Sequence, residues 1–571
     1  MRTIFTLLLF LSSSLSALTY DAEIKTDGTD DNKIIESLKR ASTTFQMKAA
    51  PPVSFAALKR RAERDIEKQK AVLWASGYFS CEIAVQTIFE EPQPKVVFSI
   101  NKGPRYSYGK IQVLPIESPV RIKTGEFVRA EEIEEAKREI LSDLRSKGYP
   151  LATIQKSTLW ADRKEATLDV TFDVLAGPYC LFGPIHIAPT AGVDEEFFTS
   201  LCPWSPGDKF SSSSIEEMQR RLEKSGLFKT VTIKEGPLEN GKVPIEISAE
   251  EALQKTIGAG LSYTTTYGPG VSLLWNHRNV ARRGQRFDFR ADLWEHDRAV
   301  TLRYTTPNFL KYKQNLIYLL EYDFTTTISY VSSAVKASVL LETALSKELD
   351  IVRGLQFERL TSHGFDGNDL FRIAKLPFQA RWSSANSLLD PTMGAIFNCK
   401  LTPAFQLAGK PYPYLIHSSS LTGYYSFFED GLTLAAKAQM ANIFGEAEDV
   451  IPLPDRLFGG SDNSFRGYKS LSVAPLNRHN IPVGGRSMLS GTLEARIRTS
   501  SSLGYVLFYD VGNVYLHWLP QIHKPYLHST GFGIRYKTPI GPLRLDLAFP
   551  LNRRPNIDPP FQIYFSIGQS F

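Results

Sequence analysis

The sequence of 571 residues is short of cysteine and of net charge. The spacing of its four cysteines, Cys81, Cys180, Cys202 and Cys399, matches no zinc pattern, so no structural zinc site is predicted. An exported chain could pair Cys180 with Cys202, its closest couple in sequence, or keep free buried thiols. The formal net charge is only +6, which gives no electrostatic reason to predict nucleic-acid binding.

Signatures of common enzyme classes are absent as well. The sequence has no serine nucleophile elbow, HExxH, CxxC or GxxxxGK[ST] segment, and its nine histidines show no metal-ligand spacing. The acidic stretch DGTDD, Asp27 to Asp31, lacks the later ligands of a calcium loop and favours a turn with a helix cap. We therefore predict no enzymatic activity, no cofactor and no metal site.

Long apolar runs are confined to the N-terminus. Elsewhere no run of about 18 uncharged apolar residues occurs, so a membrane-spanning helix is not predicted. The first residues, MRTIFTLLLFLSSSLSALTYD, combine basic Arg2, an apolar run from Ile4 to Leu11, and small residues before a cleavage point near Ser16 or Ala17. This pattern is typical of a secretory signal peptide, assigned to residues 1–17.

The N-terminal half contains an internal repeat. The segments LWASGYFSCEIAVQ, LRSKGYPLATIQK and LEKSGLFKTVTIK align on Gly77, Gly148 and Gly226. Each follows a charged helical run and precedes an alternating segment, so each glycine is predicted at a helix C-terminus. The pattern predicts α+β repeats with the order strand, helix, helix, strand, strand, at residues 18–104, 105–180 and 181–250.

From residue 251 to 571, apolar and polar residues alternate with a period of two. In RFDFRADLW, Phe287 and Phe289 lie on one face and Arg286 and Asp288 on the other. A soluble sandwich and a membrane barrel both fit such strands. Strings of charges on one face favour a barrel with a wet lumen, since a packed core could not accept them. At about 20 residues per crossing and its turn, we predict an all-β transmembrane antiparallel barrel of about 16 strands.

Several motifs carry a family resemblance. The stretch GGSDNSFRGY, Gly459 to Tyr468, resembles the loop motif of the outer-membrane assembly factor superfamily, whose repeats are called POTRA domains and whose barrel is a bacterial surface antigen domain. WNHRN, LDPTMG, FYDVGNV and RYKTPIGPLRLD are similar to further motifs of that superfamily, although Met393 stands where a basic residue is expected. Three repeats and the context DRLFGGSDNSFRGYKSLS resemble most its TamA branch, the outer-membrane subunit of the translocation and assembly module.

The resemblance implies that the motif loop folds into the barrel lumen and that its arginine meets acidic residues there. Alternation supplies the candidate partners, because Glu494 and Asp510 lie opposite the apolar faces of GTLEARI and LFYDVG. The planar fork of arginine can bond two carboxylates at once, so we expect a structural latch without a catalytic role. The predicted motif residues are Gly459, Gly460, Phe465, Arg466, Gly467 and Tyr468.

By the same resemblance, the protein is expected to help insert outer-membrane barrels and autotransporter-like clients. The expected template is the seam between the first strand, TIGAGLSYTTTYG, and the last, FQIYFSIGQSF, where glycines would weaken pairing. POTRA repeats in the periplasm would dock clients and a TamB-like partner, while the barrel would lie in the bacterial outer membrane. The predicted seam residues are Gly258, Gly260, Phe561, Gly568 and Phe571.

A second hypothesis is a two-partner-type secretion pore that exports one dedicated exoprotein. A plug helix before the first repeat would favour it. The segment DAEIKTDGTDD instead begins almost at once with a strand-like pattern after the predicted signal peptide.

Overall fold

The computed structural model describes residues 18–27, 32–89, 93–264, 267–365, 367–387, 390–408, 411–428, 431–445, 450–461, 464–500, 502–538 and 541–567. The predicted signal peptide, much of the DGTDD stretch, and the seam residues Gly568 and Phe571 lie outside these ranges. The chain divides into two compact units. One comprises residues up to 186 with 203–219 and 233–247, and the other comprises 187–202, 220–232 and 248 onward. None of the helices in the described ranges is long and apolar enough to cross a membrane.

The N-terminal region forms three small three-stranded sheets with helices. Its elements are β1 (Asp21–Thr26), α1 (Asn32–Ala41), α2 (Thr43–Gln46), α3 (Phe55–Ala75), β2 (Glu82–Ile88), β3 (Lys95–Asn101), β4 (Ser107–Leu114), α4 (Ala130–Ser146), β5 (Thr153–Asp162), β6 (Thr167–Leu175), β7 (Leu181–Ile187), α5 (Glu195–Leu201), α6 (Ser212–Lys224), β8 (Phe228–Glu235) and β9 (Lys242–Glu251). The strand orders are β1-β3-β2, β4-β6-β5 and β7-β9-β8. The three repeat glycines have φ values of +90°, +105° and +68°, as expected where a helix ends.

The second sheet shows how the pattern builds a core. Strand β6 buries every second side chain, and Val170 and Phe172 are fully enclosed. Helix α4 covers this face because its apolar residues recur at helical spacing, with Ile140 and Leu144 completely buried. The second repeat therefore has a small core in which a helix covers one face of the sheet.

The second repeat differs from the predicted element order. It contains a single helix, α4, and residues 115–129 form an irregular segment where the first helix was predicted. Two prolines explain the difference, since Pro115 and Pro119 lack the backbone N–H that a helix interior requires. Among the described residues, the first repeat has three helices, counting the four-residue α2, and the third has two.

The C-terminal region forms one closed antiparallel barrel, which confirms the predicted fold class. Its strand segments are β10 (Lys255–Thr264), β11 (Gly268–His277), β12 (Arg286–Trp294), β13 (Asp297–Thr306), β14 (Gln314–Thr326), β15 (Tyr330–Ala344), β16 (Leu349–Gly364), β17 (Gly367–Lys375), β18 (Phe378–Ser383), β19 (Gly394–Gln406), β20 (Tyr412–Phe427), β21 (Leu432–Phe444), β22 (Ser487–Arg498), β23 (Leu503–Tyr515), β24 (Leu527–Thr538), β25 (Gly541–Pro550) and β26 (Gln562–Ile567). Strands β17 and β18 both pair with β16 and β19, so they form one interrupted crossing and the described barrel has 16 crossings.

The outer face of the barrel is apolar and exposed, as membrane contact requires. Leu493 on β22, Leu507 on β23 and Phe532 on β24 have exposed fractions of 58%, 55% and 50%. Their sequence neighbours Glu494 and Phe508 point the other way and are far less exposed. The strands therefore present hydrocarbon-compatible side chains outward and charged side chains inward.

Candidate functional site

The connection between β21 and β22 crosses the barrel lumen. We call residues 450–461 and 464–486 the motif loop. It contacts side chains of β17 and β20, of β22 and β23, and of β26, which lie at separate places around the closed barrel. A segment can reach all of these strands only from inside. The lumen is therefore the location of the predicted motif residues.

Arg466 lies at the centre of an ion-pair cluster on one lumen wall. Its Nε is 2.9 Å from Oδ2 of Asp510 and its Nη2 is 2.8 Å from Oδ1 of the same carboxylate. The remaining fork nitrogen, Nη1, donates to Oε1 of Glu494 at 2.8 Å. Arg496 bonds the second oxygen of Glu494 at 3.0 Å. The structure thus brings together the arginine and both carboxylates that alternation placed on the inner face.

The surroundings of Arg466 exclude water. Its exposed fraction is 2%, that of Asp510 is 1%, and the guanidinium carbon lies 3.6 Å from the ring centroid of Phe508. A buried charge is tolerated only when it is paired and hydrogen-bonded, and all the partners needed here are present. The cluster has the properties of a structural latch, because ion pairs and an aromatic face fix one loop residue against two strands.

The glycines of the motif permit a tight loop. Gly460 and Gly467 have φ values of +96° and +94°, in the left-handed region. A Cβ at Gly460 would lie 2.4 Å from the carbonyl oxygen of Lys469, and one at Gly467 would lie 3.1 Å from the backbone of Phe549 on β25. These two positions therefore require glycine for both conformation and space.

Phe465 and Gly459 pack against each other within the loop. Phe465 is 1% exposed, and a Cβ at Gly459 would lie 2.6 Å from its ring. Gly459 also exchanges two backbone hydrogen bonds with Val473, at 2.8 and 3.0 Å. This small hydrogen-bonded hairpin orients the residue that precedes Arg466.

Gly467 and Tyr468 attach the loop to the last strand and to its neighbours. The N–H of Gly467 donates to the hydroxyl of Tyr564 on β26 at 3.0 Å, and that hydroxyl donates to the carbonyl of Tyr468 at 3.2 Å. The hydroxyl of Tyr468 lies 2.9 Å from the carbonyl oxygen of His528 and 2.8 Å from Oδ1 of Asn552. The motif therefore touches the strand that closes the barrel.

A second attachment point, which sequence reasoning missed, lies on another part of the wall. Asp455 ends a single 3-10 turn, Leu453–Asp455, near the start of the motif loop. Its carboxylate is 2.9 Å from Nζ of Lys375 on β17 and accepts the hydroxyl of Tyr414 on β20 at 2.6 Å. Lys375 also pairs with Glu358 at 2.7 Å. Asp455 lies in an irregular segment, so no periodicity could mark it.

The seam between β10 and β26 closes the barrel. The described residues contain two seam pairs, Tyr263↔Ile567 and Thr264↔Ser566, which set the antiparallel register of the two end strands. The rings of Tyr263 and Phe565 add a contact across the seam, with centroids 6.3 Å apart.

The predicted seam residues occupy different places. Gly258 and Gly260 lie within β10, opposite Leu274 and Ser272 of β11 and before the two seam pairs. Phe561 directly precedes β26, and its ring centroid is 6.4 Å from that of Phe549. Strand β10 is described as far as Thr264 and β11 begins at Gly268, so the predicted first strand, Thr256 to Gly268, includes the first residue of β11.

Two further motifs lie at strand ends. In WNHRN, Asn279 is 3% exposed and donates from Nδ2 to the carbonyl oxygen of Gly192 at 2.7 Å. In LDPTMG, Asp390 pairs with Arg498 at 2.8 Å and with Lys537 at 3.1 Å. The Asn279 contact joins a turn of the barrel to residues 187–202. The Asp390 pairs join the ends of three crossings to one another.

No disulfide or metal centre contributes to this site. None of the four cysteines, which lie in described ranges, forms a disulfide. No group of three or more His, Cys, Asp or Glu side chains is placed to hold a metal ion within the ranges that the structure describes.

Comparison with known proteins supplies independent information. The model of the Omp85 superfamily domain matches residues 279–571, and the POTRA model, surface antigen variable number repeat, matches residues 115–177. The outer membrane protein assembly factor BamA of Nitratidesulfovibrio vulgaris is 21% identical over 549 residues, covering 89% of this chain and 68% of that protein. BamA of Neisseria meningitidis serogroup B is 20% identical over 583 residues, covering 89% of this chain and 72% of that protein.

A solved structure shares the fold. The crystal structure of BamA from Haemophilus ducreyi lacking POTRA domains 1-3 superposes with a TM-score of 0.69 at 19% identity. The match covers 81% of this chain and 99% of that chain. At this identity the similarity establishes the architecture alone.

Proposed function

The chain belongs to the Omp85 superfamily, whose model covers more than half of it, and we propose that it is an outer-membrane protein assembly factor. Its barrel lies in the bacterial outer membrane and its POTRA domains lie in the periplasm, which confirms the predicted location. The proposed activity is to help β-barrel clients fold and insert. Relatives named as outer membrane protein assembly factors support this activity.

The observation that carries the proposal is the closure of the barrel between its first and last strands, β10 and β26. In hydrocarbon, an unpaired strand edge has no water to satisfy its N–H and C=O groups. A client strand needs backbone partners when it enters the membrane. The first and last strands, β10 and β26, can separate to provide them without parting two strands that follow each other along the chain.

The finer proposal concerns clients and partners. The context DRLFGGSDNSFRGYKSLS and the three small sheets support a TamA-like role, in which clients include autotransporter-like proteins and the POTRA domains dock clients and a TamB-like periplasmic protein. Each three-stranded sheet has two outer strands, and such edges can accept an added strand.

Depletion of the protein in its native host tests the proposal. Quantitative proteomics would compare embedded outer-membrane proteins with released proteins. We expect several barrel or autotransporter-like proteins to disappear from the membrane while other secreted proteins keep their levels. Loss of one large released protein with an unchanged membrane would contradict the proposal and favour a two-partner-type secretion pore.

A further inference from the structure

Tyr564 is part of the last strand and also bonds the motif loop. It lies on β26, the strand whose edge forms the seam, and it is 7% exposed on the lumen side. Its hydroxyl accepts the N–H of Gly467 at 3.0 Å and donates to the carbonyl of Tyr468 at 3.2 Å. Both partners are backbone groups of the motif loop. The hydroxyl therefore inserts into the loop at the position directly after Arg466.

The ion-pair cluster and Tyr564 are also joined through packing. The guanidinium carbon of Arg466 lies 3.6 Å from the ring centroid of Phe508. Phe508 belongs to the same buried apolar cluster as Val506, Ala548 and Tyr564. The loop segment that bonds Tyr564 is thus the segment that Arg466 fixes to β22 and β23. The fixed position of Arg466 on β22 and β23 therefore also constrains the last strand, through the two loop residues that follow Arg466.

The contact adds to the ladders that hold β26 in the wall. Strand β26 is the last strand of the barrel, with β25 on one side and β10 on the other. The two hydrogen bonds of Tyr564 to the buried, fixed loop hold this strand independently of both ladders. A bond that is made only while β26 keeps its place in the wall opposes release of the strand.

We propose that Tyr564 is a positioning residue that couples the motif loop to the seam and sets how readily the last strand detaches. This inference rests on the proposed assembly function and assigns a control element to its seam. When the loop is docked, Tyr564 holds β26 in the barrel wall from the lumen side. Withdrawal of Gly467 and Tyr468 by a shift of the loop would free β26 for exchange with a client strand.

The test compares three variants in lipid nanodiscs by hydrogen–deuterium exchange. Tyr564→Phe keeps the ring and removes the hydroxyl, and Gly467→Ala displaces the loop from the opposite side of the contact. Tyr414→Phe is the matched control, because it removes a buried hydroxyl that bonds the same loop through Asp455, away from the seam. Peptides from β26 and from the central hairpin β15–β16 are followed together, and retained heat-modifiable mobility shows that each barrel is folded.

We expect Tyr564→Phe to accelerate exchange in β26 about three- to tenfold, the effect of losing about one net hydrogen bond, while β15–β16 stays within about twofold. Gly467→Ala should act in the same direction, and Tyr414→Phe should leave β26 unchanged. Unchanged β26 exchange in Tyr564→Phe, or equal acceleration in β15–β16, would overturn the inference.

Client insertion into liposomes supplies the second readout. If the last strand detaches more readily, the initial insertion rate of Tyr564→Phe should rise at least about twofold. A change of this size corresponds to part of the free energy of one net hydrogen bond. Faster β26 exchange with an unchanged insertion rate would overturn the positioning role. Absence of insertion by the wild-type protein would instead refute the proposed function, and the exchange measurement, which needs no client, separates that result from a failure of the coupling.

Discussion

The backbone and the side chain of Arg466 both bond one carboxylate, that of Asp510. Its N–H lies 3.0 Å from Oδ2, Nε lies 2.9 Å from the same oxygen, and Nη2 lies 2.8 Å from Oδ1. Three hydrogen bonds to one acceptor pair fix the residue more completely than an ion pair alone. This arrangement makes Asp510 a docking point for the loop backbone as well as for the positive charge.

Removal of either partner should therefore be costly. We expect Arg466→Ala and Asp510→Ala each to lower the free energy of unfolding by about 3–5 kcal/mol. The first change leaves Asp510 buried without its cation, and the second leaves buried Arg466 with Glu494 as its remaining carboxylate partner. The double variant should lose less than the sum, because the two changes remove the same interaction. Thermal unfolding followed by heat-modifiable gel mobility measures the effect.

A surface pair provides the control for that prediction. Arg498 pairs with Asp390 at side-chain exposures of 40% and 45%, so Arg498→Ala should cost about 0–1 kcal/mol. A loss in Arg466→Ala no larger than in Arg498→Ala would contradict the account of a buried latch.

The second attachment of the loop should be sensitive to charge. Asp455→Asn preserves shape but weakens the bonds to Lys375 and Tyr414, and we expect a loss of about 1.5–3 kcal/mol, typical of hydrogen bonds to charged groups. The loop amides around residue 455 should then exchange faster while those near Arg466 change little. Unaltered exchange around residue 455 would show that this contact does not hold the loop.

The backbone conformation of Gly460 gives a steric prediction. Gly460→Ala should destabilise the protein by about 1–3 kcal/mol, because the new Cβ meets a carbonyl oxygen at positive φ. Gly423→Ala is the matched control, since nothing lies within 4 Å of its new Cβ and it should change stability by less than about 1 kcal/mol. Equal melting temperatures for the two variants would rule out a required left-handed turn in the motif.

The first repeat contains a buried carboxylate with a predictable pH response. Burial raises the pKa of Asp65, but hydrogen bonds to the backbone N–H of Thr44 and the hydroxyl of Ser42, both 2.7 Å, lower it by more, so the pKa lies below its ordinary value of 3.8. The stabilisation is therefore present above 3.8, the ordinary value, and is lost as pH falls through the folded-state pKa.

Asp65→Asn tests that response. We expect it to lower the local stability of residues 43–75 by about 1–3 kcal/mol at neutral pH, and the difference from the wild type should shrink in acid. Hydrogen exchange corrected for intrinsic rates measures both. A difference that grows in acid would contradict the sign of the shift.

Alternation predicted much of the fold, because a strand with one face in lipid has apolar residues at every second position. It assigned Glu494 and Asp510 to one face, opposite apolar side chains. It failed where structure depends on contacts between distant segments. The alternation in FQIYFSIGQSF places Tyr564 only on the face opposite Ile563 and Phe565, and its partners lie almost one hundred residues earlier in a loop without periodicity. The missing helix of the second repeat shows the other limit, since two prolines overrode the repeat pattern.

The most direct test of the central claim is a reversible disulfide cross-link between the two end strands. In a cysteine-free background, Thr264→Cys and Ser566→Cys replace a directly opposed pair of β10 and β26, and oxidation joins the two new cysteines. Insertion of a barrel client into liposomes is then measured before and after reduction. The account predicts that the oxidised protein is inactive and that reduction restores insertion. Full activity of the oxidised, completely cross-linked protein would contradict a role for the seam as the template.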